Sequence, residues 1–311
     1  MNPLLTSMRP QEWVKNVLVF AGVVFSRQFD DGAALADASI TFVAFCAISS
    51  AGYLFNDLRD REHDRRHPDK RSRPIASGAL PVETAVMAAL GLAAFAILLP
   101  AATVSAEVAG LVAAYALITA AYSIFLKRLV ILDVMTISGL FLLRVVAGAV
   151  AVDATASEFL LVCTAMLALF LGFTKRRQEA ILEQTPPDAH VERPGLTRIP
   201  GTPGRSEPEE MVTTRPVLEH YSLPFLDQMI AMVTATAILA YILYAVDSPF
   251  AGSKMLATAP SVLYGVFRYL YLIYDRQDTR STAAILARDP GVIFAGISYI
   301  LSAFIVLYVV D

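Results

Sequence analysis

About nine stretches of the chain are apolar over nearly the whole length needed to cross a lipid bilayer, and no other feature restricts its fold so much. A hydrocarbon core about 30 Å thick takes roughly 20 apolar residues per helix and offers no water to an open backbone. The segments run approximately 14 to 29, 38 to 56, 82 to 100, 107 to 125, 130 to 152, 157 to 173, 227 to 246, 256 to 274 and 291 to 310. Arg27 and Gln28 interrupt the end of the first, which makes it the weakest of the set. With 56% hydrophobic residues over 311 positions, the chain is too apolar for an ordinary soluble domain. The expected fold is an all-α integral membrane protein, a bundle of about nine transmembrane helices.

A net charge of -3 says little, but the placement of the bases says much, because Lys and Arg favour cytoplasmic loops. All 25 of them, save Arg27, Lys254, Arg144 and Arg268, fall in the N-terminal tail or in loops of one face. That face, which includes the N-terminus, is predicted to be cytoplasmic. An odd number of spans would leave Asp311 outside. Short outer links such as 101 to 106 and 153 to 157 argue for a single transmembrane domain over 1–311. Within it, residues 185 to 210 are rich in Pro, Gly and charge, a composition that predicts a flexible cytoplasmic insertion. The two cysteines, Cys46 and Cys163, lie inside predicted spans and need no redox role.

Directly after the second span stands Asn56-Asp57-Leu58-Arg59-Asp60-Arg61-Glu62-His63-Asp64. At 100° per residue, Asp57, Asp60 and Asp64 fall within about 60° of one another on a helix, so their carboxylates can converge on one hard cation. Magnesium takes one or two carboxylates together with phosphate oxygens, and Asn56 can add a carbonyl. The basic run Lys70, Arg71 and Arg73 follows and can hold the anion. His63 and His67 are assigned to the solvated face. After the sixth span, Thr174-Lys175-Arg176-Arg177-Gln178-Glu179 sets Lys175 and Glu179 four apart on one helix face. Arg144 and Arg268 lie inside spans, where an Arg costs roughly 2.5 to 3.5 kcal/mol on insertion scales unless it meets a partner or water. Arg268, near the cytoplasmic end of its span, is a phosphate-binding candidate; Arg144, deeper, is expected to pair with Glu158 or Asp153.

The pattern NDxxDxxxD, with the trailing RPIxSG at Arg73 to Gly78, resembles the first signature of the UbiA superfamily of intramembrane prenyltransferases. The resemblance runs over essentially the whole chain and implies a helical bundle around a central cavity, open to the cytoplasm, with magnesium-dependent handling of a diphosphate. Most members carry a second aspartate-rich motif after the sixth span; here bases replace it. Together with RPQEWVKN at Arg9 to Asn16, YSIFLKRLVILDV at Tyr122 to Val134 and LRVVAGA at Leu143 to Ala149, that exchange is similar to one branch, the decaprenyl-phosphate phosphoribosyltransferases.

What the resemblance implies is transfer of 5-phosphoribosyl from phosphoribosyl diphosphate to a polyprenyl phosphate, with Mg2+ as cofactor, at the bacterial cytoplasmic (inner) membrane. Asp57, Asp60 and Asp64 would hold the metal, with Asp57, Asp60, Lys175 and Glu179 nearest the chemistry. Lys15, Asn16, Asn56, Lys70, Arg71, Arg73, Lys127, Arg176 and Arg268 would bind the two phosphorylated substrates; Lys15 and Asn16 gain this role from the resemblance alone. Membrane lipid is an expected partner, nucleic acid is not, and self-association stays open. The alternative is a prenyltransferase that joins a polyprenyl diphosphate to an aromatic acceptor of the 4-hydroxybenzoate type, with Glu179 and Glu183 as a second acidic pair.

Overall fold

The structure is a computed structural model, and it describes residues 2–67, 70–155, 158–184, 216–246, 252–276, 285–286 and 288–308. The expected insertion at 185–210 lies outside these residues. Among the described residues there is no strand. Among the described residues, seven helices are long and apolar enough to cross a membrane. They are α3 (Gly32–Arg59), α6 (Val82–Thr103), α7 (Ala106–Ile124), α8 (Leu132–Ala151), α9 (Glu158–Gln184), α10 (Leu223–Val246) and α11 (Ala259–Tyr274), the last with the 3-10 turn Gly252–Thr258 that precedes it. A further apolar helix, α12 (Pro290–Tyr308), covers the last expected span. Short helices α1 (Pro3–Met8), α2 (Ala21–Phe25), α4 (Arg61–Arg66) and α5 (Pro74–Ser77) complete the set. Met87, Leu98, Leu117 and Ile300 are 66–72% exposed, a degree of apolar exposure that suits lipid and not water.

Two expected boundaries move. The sixth span does not end at 173: α9 continues to Gln184, so the Lys175 to Glu179 stretch is a helical extension and not the start of a loop. The first span is not one α-helix. Pro10–Phe20 is an 11-residue 3-10 run that passes into the five residues of α2. At about 2.0 Å per residue for 3-10 and 1.5 Å for α geometry, these residues reach about 30 Å, the hydrocarbon thickness. A stretched helix thus gains a reach that a regular α-helix of that length would not have.

The chain forms two compact units, Met1–Ala165 and Met166–Asp311, with the boundary inside α9. In the first unit, α3 is the central element. Asp31 caps its start by accepting from the Ala33 and Ala34 N–H groups at 2.8 and 3.3 Å. Phe45, Ile48 and Ala51 of α3 join Val19, Val112, Tyr115 and Ala147 in a core cluster. Phe45 meets Tyr115 edge-on at 5.3 Å. The 3-10 run and α2 lie against α8 through two glycines: a Cβ on Gly148 would stand 1.8 Å from the Val19 carbonyl oxygen, and one on Gly22 of α2 would stand 2.4 Å from that of Gly148. Only an absent side chain lets these backbones approach so closely. In the second unit α11 packs on α12, and Arg268 joins them through Asp289, at 3.1 Å from Nε and 3.0 Å from Nη2.

Candidate functional site

The acidic motif sits where α3 stops. Asp57, 3% exposed, occupies the last helical turn; Asp60 ends the helix at φ -88° and ψ 4°; Asp64 is buried in α4. The helix break explains a departure from the single-face expectation. Asp57 and Asp64 share one nitrogen, Arg73 Nη1, at 3.2 and 2.7 Å, while Asp60 turns to Lys127 and receives its Nζ at 2.8 Å on both oxygens. Arg9 donates a second charged bond to Asp57 at 2.6 Å. Lys127 also reaches Asn56 Oδ1 at 3.5 Å.

Two buried carboxylates drawn to one nitrogen, with a third nearby in sequence, require opposite charge, because a buried ion with no partner costs several kcal/mol. Arg9, Arg73 and Lys127 supply it from three separate parts of the sequence. Among the described residues no three His, Cys, Asp or Glu side chains form a preset metal cage. The donor set still fits magnesium: two carboxylates already converge on one cationic atom, and phosphate oxygens supply the remainder. Of the adjoining bases, Arg71 is exposed and Lys70 half-buried.

Behind this mouth lies a second polar group. Asn16 is fully buried and accepts from Arg144 Nε at 2.7 Å, while Arg144 Nη2 reaches the Tyr115 hydroxyl at 2.6 Å and Nη1 the Leu140 carbonyl at 2.8 Å. The expected pairing of Arg144 with Glu158 or Asp153 is therefore replaced by neutral oxygens. Arg144 points back along α8 toward the 3-10 run, whose close approach brings Asn16 within reach. Asn16 in turn donates to Cys46 Sγ at 3.3 Å. Lys15 pairs with Glu12 one turn away.

In the second unit, Lys175 is exposed and Arg176 is only 2% exposed, its Nη1 holding Glu179 at 2.6 Å. Arg177 donates to Asp227 at 2.6 Å and lies over the Tyr274 ring at 4.1 Å. Arg268, a candidate for phosphate binding, is engaged by Asp289. Its guanidinium holds the Asp289 carboxyl below the usual carboxylate range, helped by the Val292 N–H at the start of α12. Sequence reasoning missed Arg9, Asp227 and Asp289 as partners. Only Arg9 left a signal, since it opens the RPQEWVKN motif.

A helical multi-pass membrane protein with a mouth of paired aspartates and bases is the class that fold and site define. Within that class, a UbiA prenyltransferase family model matches residues 17–180, and the chain belongs to this family. The decaprenyl-phosphate phosphoribosyltransferase of Mycolicibacterium smegmatis is 38% identical over 185 residues, which cover 58% of this chain and 58% of that protein. Its counterpart in Corynebacterium glutamicum is 37% identical over 189 residues, 58% of this chain and 55% of that one. The match thus spans little more than half the length of these curated relatives. A solved UbiA homolog from Archaeoglobus fulgidus, bound to GPP and Mg2+, superposes with a TM-score of 0.72 at 17% identity, covering 99% of this chain and 100% of that one. It shares the fold.

Proposed function

We propose that this protein is a polyprenyl-phosphate phosphoribosyltransferase, which moves 5-phosphoribosyl from phosphoribosyl diphosphate to a polyprenyl (decaprenyl) phosphate and releases diphosphate for cell-envelope pentose-lipid synthesis. The observation that carries the reading is the basic character of α9 where most of the family is acidic. Glu179 is already neutralised by Arg176, and Lys175 and Arg177 flank that pair. Such a surface suits a second phosphate, as a phosphorylated sugar donor requires, better than a second metal ion. The names of the two relatives support the same activity.

In the reaction, the bond from the anomeric carbon to diphosphate breaks, and a bond from that carbon to a lipid phosphate oxygen forms. That oxygen is ionised near neutral pH, since the second pKa of a phosphate monoester is about 6. No side chain has to remove a proton. Asp57, Asp64 and Asp60 would hold Mg2+, which when bound neutralises the departing diphosphate. Arg73 and Lys127, now on the carboxylates, stand ready to move to phosphate oxygens, with Lys70, Arg71 and Asn56 beside them. Lys175, Arg176 and Glu179 bind and orient the second phosphate. Asn16, held by Arg144, fixes the 3-10 run that carries Lys15 to the mouth. The site faces the cytoplasm of a bacterial inner membrane, where the soluble donor is at hand.

The test is to incubate purified protein in detergent with magnesium, radiolabelled phosphoribosyl diphosphate and a polyprenyl phosphate, and to extract the lipid. Label in the organic phase, lost with EDTA and with Asp57→Asn, is expected. Transfer from a polyprenyl diphosphate to an aromatic acid instead would overturn the reading.

A further inference from the structure

Between α10 and α11 runs an open cleft of about 490 Å³, lined from Asp227 at one end to Ile238 at the other. The small residues Ala231, Thr234 and Ala235 form its floor and Phe267 and Leu270 a wall. Thr234 turns its hydroxyl back to the Ile230 carbonyl at 2.6 Å, so the floor is apolar. At 1.5 Å per residue the floor is about 16 Å long, close to half of a hydrocarbon core of about 30 Å. The cleft thus has the depth of one leaflet.

Its mouth is polar and basic. Tyr274 donates to Asp227 at 2.9 Å, beside Arg177, and Arg276 donates to the Tyr271 hydroxyl at 2.9 Å. Arg268 and Arg276 both lie within 5.6 Å of the Tyr271 ring centre. Asp227 answers one of these bases and Asp289 another; the contacts of Arg276 among the described residues are with Tyr271. An exposed cation therefore stands at the head of a leaflet-deep apolar channel. Arg177 belongs to the same helical turn as Lys175 and Arg176.

We infer that this cleft receives the proximal isoprenoid chain of the lipid acceptor, with the phosphate of that lipid at the Arg276 and Arg177 end. The inference rests on the proposed transfer for the identity of the lipid. An apolar chain with an anionic head matches both ends of the cleft, and the basic turn of α9 joins it to the residues assigned to phosphate binding.

The experiment uses geranylgeranyl phosphate carrying a diazirine on its chain, cross-linked to the whole protein in detergent and mapped by peptide mass spectrometry. Ala235→Phe fills the floor; Met232→Phe, on an exposed part of α10 outside the cleft, is the control. Cross-links on α10 and α11 are expected in the parent and in Met232→Phe and about ten-fold fewer in Ala235→Phe, with a similar rise in KM for the lipid and none for phosphoribosyl diphosphate. Cross-links confined to other helices, or unchanged by Ala235→Phe, overturn the inference. So does displacement of the probe by excess phosphatidylglycerol, which would make the cleft a general lipid contact. Specific cross-linking in α10 and α11 by a parent protein that transfers no phosphoribose would uphold the cleft and sink the proposed reaction.

Discussion

Asp57 and Asp60 are three residues apart, yet their surroundings assign them different energetic roles. Asp57 is 3% exposed and holds two guanidiniums, whereas Asp60 is 28% exposed and holds one ammonium. Removing one partner of a buried pair costs about 3 to 5 kcal/mol, while an exposed pair is worth about 1 kcal/mol or less. Because both are proposed to hold the metal, Asp57→Asn and Asp60→Asn are both expected to lower label transfer by about 100-fold or more, as loss of a group that stabilises developing charge does. Thermal unfolding in detergent should separate them, with a clear drop in Tm for Asp57→Asn alone. Equal Tm values would mean that Arg9 and Arg73 find other partners. Tyr115→Phe offers a parallel case inside the bundle, because it strips one acceptor from the buried Arg144 and should cost about 1 to 3 kcal/mol, read from the same unfolding curves. The carboxylates themselves were legible in the sequence from their spacing. Their partners were not: Arg9 lies 48 residues from Asp57 and Lys127 lies 67 from Asp60, and nothing local couples such positions.

Hydropathy alone located the long helices, since a lipid environment forces each apolar run to satisfy its own backbone. What it missed at the element scale is the 3-10 geometry of Pro10–Phe20, which depends on α8, more than a hundred residues away in the sequence. Gly148 is the point of dependence. A methyl there would meet the Val19 carbonyl, which is backbone and cannot rotate aside. Gly148→Ala should thus destabilise by about 1 to 3 kcal/mol, as overpacking does, and should displace the run that carries Lys15 and Asn16. A Tm unchanged in Gly148→Ala would show that the two backbones separate at little cost. The joint between α11 and α12 is expected to respond to pH instead. Hydrogen bonding from Arg268 lowers the Asp289 carboxyl below its ordinary value, so its contribution is fully present above about pH 4 and is lost as pH falls through the lowered value. Asp289→Asn should flatten the acid side of the stability profile, and an unaltered slope would assign that slope to other carboxylates.

Charge asymmetry along the chain predicts how the protein is oriented in the membrane. The acidic motif, the basic run to Arg73 and the Lys175 to Arg177 stretch all belong to the segments that hold most of the Lys and Arg residues, which the positive-inside tendency predicts to be cytoplasmic. Arg27 and Lys254 are predicted to lie on the opposite face. The proposed transfer depends on this orientation, because a charged sugar diphosphate does not cross a bilayer unaided, and a mouth on the outer face would be cut off from a cytoplasmic donor. Exposed positions predicted for the two faces allow a direct check: Arg71 beside the mouth and Lys254 in the turn before α11. Cys46 and Cys163 are first replaced by Ala, and Arg71→Cys or Lys254→Cys is then added alone. A membrane-impermeant maleimide applied to spheroplasts should label the protein carrying Lys254→Cys at once, and that carrying Arg71→Cys only after lysis. The reverse pattern would turn the mouth outward and require the donor to be made or delivered there, a demand that the proposed reaction could not meet with phosphoribosyl diphosphate from the cytoplasm.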